Sequence, residues 1–260
     1  MRRTIATAIL ASATITPIAA SAQESDTRTR VGIGPQVTPS FPGSDKVSFS
    51  PMFELSRAKG DDFFEYEAPD ESPSIAVLKS GPFEIGPTIN FQGARGRREA
   101  GVELTKVDFT VELGGYANLW IADNFRLRGE VRYGVNGHEG LIGSLAADYV
   151  VRDGDNWVFS VGPRVAIVND RYESAYFDVT PTDAATSGLP LYDADGGIHS
   201  AGAMASYMRK LDRRWGLFSY VKYDRLLGDG RNSPIVTQLG SDNQFSGGIG
   251  IYYTFGAARD

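Results

Sequence analysis

From about residue 30 to residue 255 the side chains alternate between apolar and polar, and this period of two limits the chain more than any other feature. In "FRLRGEVRY" (125–133), Phe125, Leu127, Val131 and Tyr133 share one parity and Arg126, Arg128, Glu130 and Arg132 the other. Phe83, Ile85, Ile89 and Phe91 alternate with Glu84, Thr88, Asn90 and Gln92, and Val107, Phe109, Val111 and Leu113 with Asp108, Thr110 and Glu112. Leu141, Leu145, Tyr149 and Val151 oppose Ser144, Asp148 and Arg152, and Trp157, Phe159, Val161, Val165 and Ile167 oppose Ser160 and Arg164. Phe245, Ile249, Ile251, Tyr253 and Phe255 close the series. Successive side chains of a strand point to opposite faces, so these are strands with two unlike faces.

Alternation alone leaves two architectures open. A soluble antiparallel sandwich turns the apolar parity inward, whereas a membrane barrel turns it outward to lipid and the polar parity into the lumen. Past residue 22 no stretch approaches the roughly 18 consecutive apolar residues of a membrane helix, which excludes a helical membrane protein but not a barrel.

Four features favour the barrel. Tight breakers ("AKGD", "SGP", "ADN", "DGDN", "LDRR") alternate with longer ones ("APDES", "GARGRREAGVE", "NGHEG", 169–196, "GDGRNSPIVTQLGSD"), which fits short turns on one rim and long loops on the other. Most strands reach about ten residues, enough to cross a bilayer at a tilt. Trp120, Trp157 and Trp215 all lie beside tight breakers, as a candidate interface girdle. With short strands at 63–67 and 74–79, the strand count is about twelve, the even number expected of single-chain bacterial barrels. The expectation is an all-β antiparallel transmembrane β-barrel with short periplasmic turns and longer extracellular loops.

The lumen would then hold charges of both signs: Glu84, Asp108, Glu112, Arg126, Arg128, Glu130, Arg132, Asp148, Arg152, Arg164, Arg209, Lys222 and Asp224. Such an interior is either closed by its own ion pairs or lines a narrow pore, and the sequence leaves both open.

The opening "MRRTIATAILASATITPIAASAQ" has a basic start, an apolar stretch and small residues at Ala20 and Ala22, the pattern of a secretory signal cut near Ala22. Residues 23–260 then form one domain. The chain carries net charge -6 and no cysteine, so a nucleic-acid surface is disfavoured and no disulfide contributes.

Only two histidines exist, and neither sits convincingly against a nucleophile. His138 is six residues from Ser144, and Ser200 faces away from its neighbour His199. A loop histidine hydrogen-bonded to its own turn is the reading for His138. "DADGG" (193–197) and "LGDGRNSP" (227–234) lack the terminal glutamate of a calcium loop and read as Asp/Gly turn chemistry. Arg95, Arg97 and Arg98 in "ARGRR" are candidates for lipopolysaccharide phosphates. No catalytic, metal or cofactor residues are expected.

The chain resembles the MipA/OmpV outer-membrane proteins, the MltA-interacting protein family. The resemblance rests on "VGIGPQVTPSFPGSD" (31–45), "GHEG" (137–140), "YFDVT" (176–180), "DRLLGDGRNSPIV" (224–236) and "GSDNQFSGGIGIYYTF" (240–255). It implies a Gram-negative outer-membrane location, with lipid and lipopolysaccharide as neighbours. It also implies a scaffold role joining a lytic transglycosylase to a penicillin-binding protein; other members are described as adhesins or antibiotic routes. The family has no assigned catalytic residues. This sequence departs from it in carrying "GAARD" after Phe255, where members usually end on the aromatic residue.

Overall fold

The computed structural model describes residues 27–256. The expected signal segment lies outside those residues. The alternating segments form β1 (Thr27–Pro39), β2 (Val47–Lys59), β3 (Leu78–Ser80), β4 (Phe83–Gln92), β5 (Thr110–Ala122) and β6 (Phe125–Gly134). They continue as β7 (Leu141–Asp153), β8 (Trp157–Val168), β9 (Gly197–Lys210), β10 (Trp215–Leu226) and β11 (Asn243–Phe255). All belong to one antiparallel sheet in the order β2-β1-β11-β10-β9-β8-β7-β6-β5-β4-β3. First and last strands pair, from Thr29 opposite Phe255 to Val37 opposite Gly247, so both ends of the described chain reach the same rim.

That rim also carries the tight turns at residues 81–82, 123–124, 154–156 and 211–214. Gly81 (φ 56°) and Gly154 (φ 54°) supply the left-handed backbone that two of these turns need. The opposite rim carries the long connections, which fold into α1 (Arg97–Ala100), α2 (Asp170–Phe177), α3 (Pro181–Ser187), α4 (Gly228–Asn232) and α5 (Pro234–Leu239).

The apolar parity faces outward. Phe49 is 78% exposed, Phe53 70% and Leu145 57%, and Val131, Val221 and Ile249 behave alike. In a sandwich these would be the core, because a soluble protein does not leave a continuous apolar belt uncovered. The charged parity is the buried one: Arg126 and Asp148 are each 0% exposed.

Among the described residues the strand count is eleven, not the expected twelve, and the difference lies between β2 and β4. Residues 63–67, expected as a strand, form none. Residues 61–72 instead run back through the interior. Residues 73–77 then descend beside β4, with Ile75 N–H donating to Pro87 O (3.2 Å) and Val77 N–H to Ile85 O (3.0 Å). "EYEAPDESP" alternates like a strand, but its charges meet arginines inside the sheet, and its prolines offer no ladder donors. β2 and β3 are the sheet's two edges.

Candidate functional site

The interior is built around residues 61–72. Tyr66 Oη donates to Ser160 Oγ of β8 (2.6 Å), and its carbonyl accepts from Arg126 Nη1 of β6 (3.3 Å). Asp70 receives Arg164 through two bonds (2.9 and 3.1 Å) and lies 3.4 Å from Lys222 Nζ. Glu71 pairs with Arg126, and Ser72 Oγ donates to Glu130 (2.9 Å). Strands β6, β8 and β10 thus all grip one segment.

These contacts belong to a single chain of alternating charge. It runs from Asp224 to Lys222 (3.1 Å), through Asp70 to Arg164, and on to Asp148 (2.8 Å) and Arg126 (2.8 Å). From Arg126 it passes to Glu71, Arg128, Glu130 (2.6 Å) and Arg132, and ends at Glu112 (2.8 Å) and His138 (3.1 Å). Buried charges persist only when paired and further hydrogen-bonded; each charged member here has a partner of opposite sign on one or both sides, and His138 closes the chain with a hydrogen bond to Glu112.

The wall formed by β9, β10, β11, β1 and β2 is different. Met52, Met204, Phe218, Tyr220 and Tyr252 pack there with Ala68 of the inner segment. Glycines make the room: a Cβ at Gly250 would lie 2.4 Å from Phe218 Cε1, and one at Gly32 2.9 Å.

Over the long-loop rim sits an apolar lid. Phe41, Leu104, Val107, Tyr176, Phe177, Ile235 and Val236 form its buried core with Tyr172 and Leu189. Ser233 N-caps α5 by accepting from Ile235 N–H (3.2 Å) and donates to Phe177 O (2.6 Å). Asp183 completes the capping box of α3 and accepts from Thr105 Oγ1 (3.0 Å), tying two long loops together.

Of the expected lumen residues, Arg126, Arg128, Glu130, Arg132, Glu112, Asp148 and Arg164 are buried in the charge chain, with Lys222 and Asp224 part-exposed at its end. Asp108 lies in an exposed loop pair with Lys106, and Arg209 falls on the outward parity of β9. Trp157 and Trp215 face outward, but Trp120 does not. It shares the parity of Glu112 and Asn118 and meets the Tyr66 ring at 6.4 Å, so the three do not form one girdle.

Arg95 is buried rather than presented with Arg97 and Arg98. Its guanidinium donates to Tyr176 O and to Thr105 O (2.7 Å), and burial lowers its pKa to about 10. Arg97 and Arg98 remain exposed, each with a glutamate partner. His138 Nδ1 accepts from Gly140 N–H (3.0 Å), which leaves the proton on Nε2 to donate to Glu112. His199 Nδ1 lies 3.0 Å from Glu173. The inner segment's Asp70 and Glu71 were missed by sequence reasoning; "APDES" carried the signal, as two adjacent acids facing a lumen rich in arginine.

The profile of the MltA-interacting protein MipA family matches residues 31–255. This chain belongs to the MipA family. No curated protein matches it individually. Among solved structures, an outer membrane channel from Pseudomonas putida F1 aligns at 12% identity and TM-score 0.44, over 93% of this chain and 100% of that one. The outer membrane protein OprG from Pseudomonas aeruginosa aligns at 13% and 0.30, over 90% and 98%. In this MipA-family chain the motifs behind the resemblance meet at the lid: Phe177 of "YFDVT" bonds Ser233 of "NSPIV", and Gly43 N–H donates to Gln244 Oε1 (3.1 Å). His138 of "GHEG" contacts the Tyr172 ring at 4.8 Å.

Proposed function

We propose that this protein is a non-enzymatic outer-membrane β-barrel whose short-turn rim faces the periplasm and docks a murein-cleaving lytic transglycosylase, together with a penicillin-binding protein. Export would follow cleavage near Ala22. The outward apolar belt supports the membrane location, because such a surface is stable only against lipid. The family description, an MltA-interacting protein, supports the partner. Arg97 and Arg98 at the long-loop rim would meet lipopolysaccharide phosphates.

The observation that carries an interaction role over a diffusion channel is the occupied lumen. Residues 61–72 thread it, the charge chain locks them to the wall, and the lid covers the other end. Two measurements test the reading. The folded protein in a planar bilayer should show no steady conductance; ion currents from it would restore the channel reading. Photo-crosslinkers placed at Asp123 and Asp212, in the tight turns, should capture a lytic transglycosylase in cells, and one at Arg98 should not. Capture only from Arg98, or none from any position, overturns the docking rim.

A further inference from the structure

A cavity of ≈ 360 Å³ lies between the inner segment, the β2 edge and strands β9 and β10. Its size falls in the range of small-molecule pockets, about 300–1,000 Å³. Tyr66, Ala68, Pro69, Met208 and Phe218 give it a largely apolar wall.

Its charges are nearly all committed. Glu71 pairs with Arg126, Glu65 with Lys79 and Arg152 with Asp155. Arg30, which stacks on Phe64 and Tyr252 at 4.0 and 4.5 Å and donates to Met208 Sδ (2.8 Å), and Glu54, which accepts from Ser56, form no direct ion pair among the described residues but attract each other, so this one cation and one carboxylate offset. Glu67 is different. Among the described residues it has no hydrogen bond or ion pair, Glu54 and Glu71 repel it, and the arginines that attract it, Arg126 and Arg128, already hold other carboxylates. It is solvent-exposed although it sits in the inner segment, and it lines this cavity and a second one beside Lys79 and Trp120.

The cavity also has a way in. Phe53, Glu54 and Leu55 of the β2 edge line it on one side, and Ser72, Pro73 and Ser74 on the other. Between these two edges the sheet has no ladder. Free backbone at membrane depth is tolerated only where it lines a wet cavity or is covered by protein. Apolar side chains on both banks, Phe53 and Leu55 against Ile75 and Val77, point outward beside the gap.

We propose that this cavity binds a small organic monocation with an apolar body, an amine whose ammonium pairs with Glu67 while its hydrophobic part lies on Tyr66, Met208 and Phe218. One uncompensated carboxylate calls for one positive charge, and the apolar wall calls for a hydrophobic remainder. A dication or a neutral sugar satisfies neither demand.

The test is isothermal titration of the purified full-length protein in detergent with 4-phenylbutylamine, against its neutral counterpart 4-phenylbutanol, with protein-free micelles as blank. The amine should saturate one site per chain and bind at least about tenfold tighter than the alcohol. Glu67→Gln should abolish that preference while keeping the gel mobility of the unboiled folded protein, and Glu103→Gln, in an exposed loop, should leave it intact. Equal binding of amine and alcohol overturns the proposal, as does an unchanged preference in folded Glu67→Gln. The amine-to-alcohol ratio is read on the unaltered protein, so it decides the matter even where the substitution impairs folding.

Discussion

The two walls of the lumen solve the same problem in opposite ways. The β5–β8 wall projects Glu112, Arg126, Arg128, Glu130, Arg132, Asp148 and Arg164 inward and cancels them against one another and against Asp70 and Glu71. The wall from β9 round to β2 projects Met52, Met204, Phe218, Tyr220 and Tyr252, with glycines between them. The first fixes the inner segment by directional pairs that tolerate no missing member. The second holds it mainly by contact area, with the Lys222–Asp70 pair at its border with the charged wall, and it is there that space remains. A segment held rigidly on one side and loosely on the other can close a lumen and still border a binding cavity.

The largest effect should come from breaking the charged wall. Arg126 is fully buried and joins Asp148 to Glu71, so Arg126→Ala takes a partner from each of two buried carboxylates and leaves Asp148 to Arg164 and Glu71 to the more distant Arg128 (3.7 Å), at a cost of about 3–5 kcal/mol. The midpoint of urea unfolding of the refolded protein measures this. A loss under about 1 kcal/mol would mean that water reaches the site and the pairs behave like surface ones.

The packed wall should respond less. Gly250→Val forces a side chain against Phe218, whose ring atoms lie 2.4 and 2.5 Å from the Cβ position, and overpacking of this kind costs about 1–3 kcal/mol. Combining it with Phe218→Leu should recover part of the loss in the same unfolding assay. Strict additivity of the two substitutions would show that the glycine answers to its backbone neighbours instead, and the size-matching account of this wall would go.

The contrast between the walls was partly legible beforehand. Alternation placed Arg126, Arg128, Glu130 and Arg132 on the inner face because strand parity is a local rule, independent of what lies opposite. The same rule places Trp120 inward with Glu112, and its position beside a turn was the weaker guide. The inner segment was not legible. An extended run with period two looks the same whether it bonds to a neighbouring strand or is held by side chains in a lumen, and the difference lies in residues such as Arg164, 94 positions away from Asp70. Arg95 fails for a similar reason: the carbonyls that bury it belong to Thr105 and to Tyr176, 81 positions on.

A carboxylate outside the lumen sharpens the comparison. Burial pushes the Asp183 carboxyl up, but hydrogen bonds from Thr180 and Thr105 outweigh it and hold the group below the usual range. A depressed folded pKa means that the contribution is present above the unfolded value of about 3.9 and is lost as pH falls through the lower folded value. Pepsin should therefore begin to cut the loop at residues 169–196 only below about pH 4. Asp183→Asn should cost about 1 kcal/mol at neutral pH and remove that pH dependence. Cleavage that follows pH identically in both proteins would show that the lid is held by its apolar core alone.

The smallest effect is expected where the chemistry of the charged wall recurs without its burial. Arg97 and Glu103 form an arginine–glutamate pair at 2.9 Å, as close as the lumen contacts, but their side chains are 74% and 54% exposed. Water screens such a pair and each side chain loses rotamer freedom to make it, so Arg97→Ala should change the unfolding midpoint by no more than about 0.5 kcal/mol. The two arginine substitutions remove the same functional group from contacts of similar length. If burial is what separates them, Arg126→Ala must exceed Arg97→Ala several-fold and raising the salt concentration should not narrow the gap, since buried pairs are screened far less than exposed ones. Comparable losses would mean that the lumen is as wet as the loop surface, and the closed interior would have to be abandoned with it.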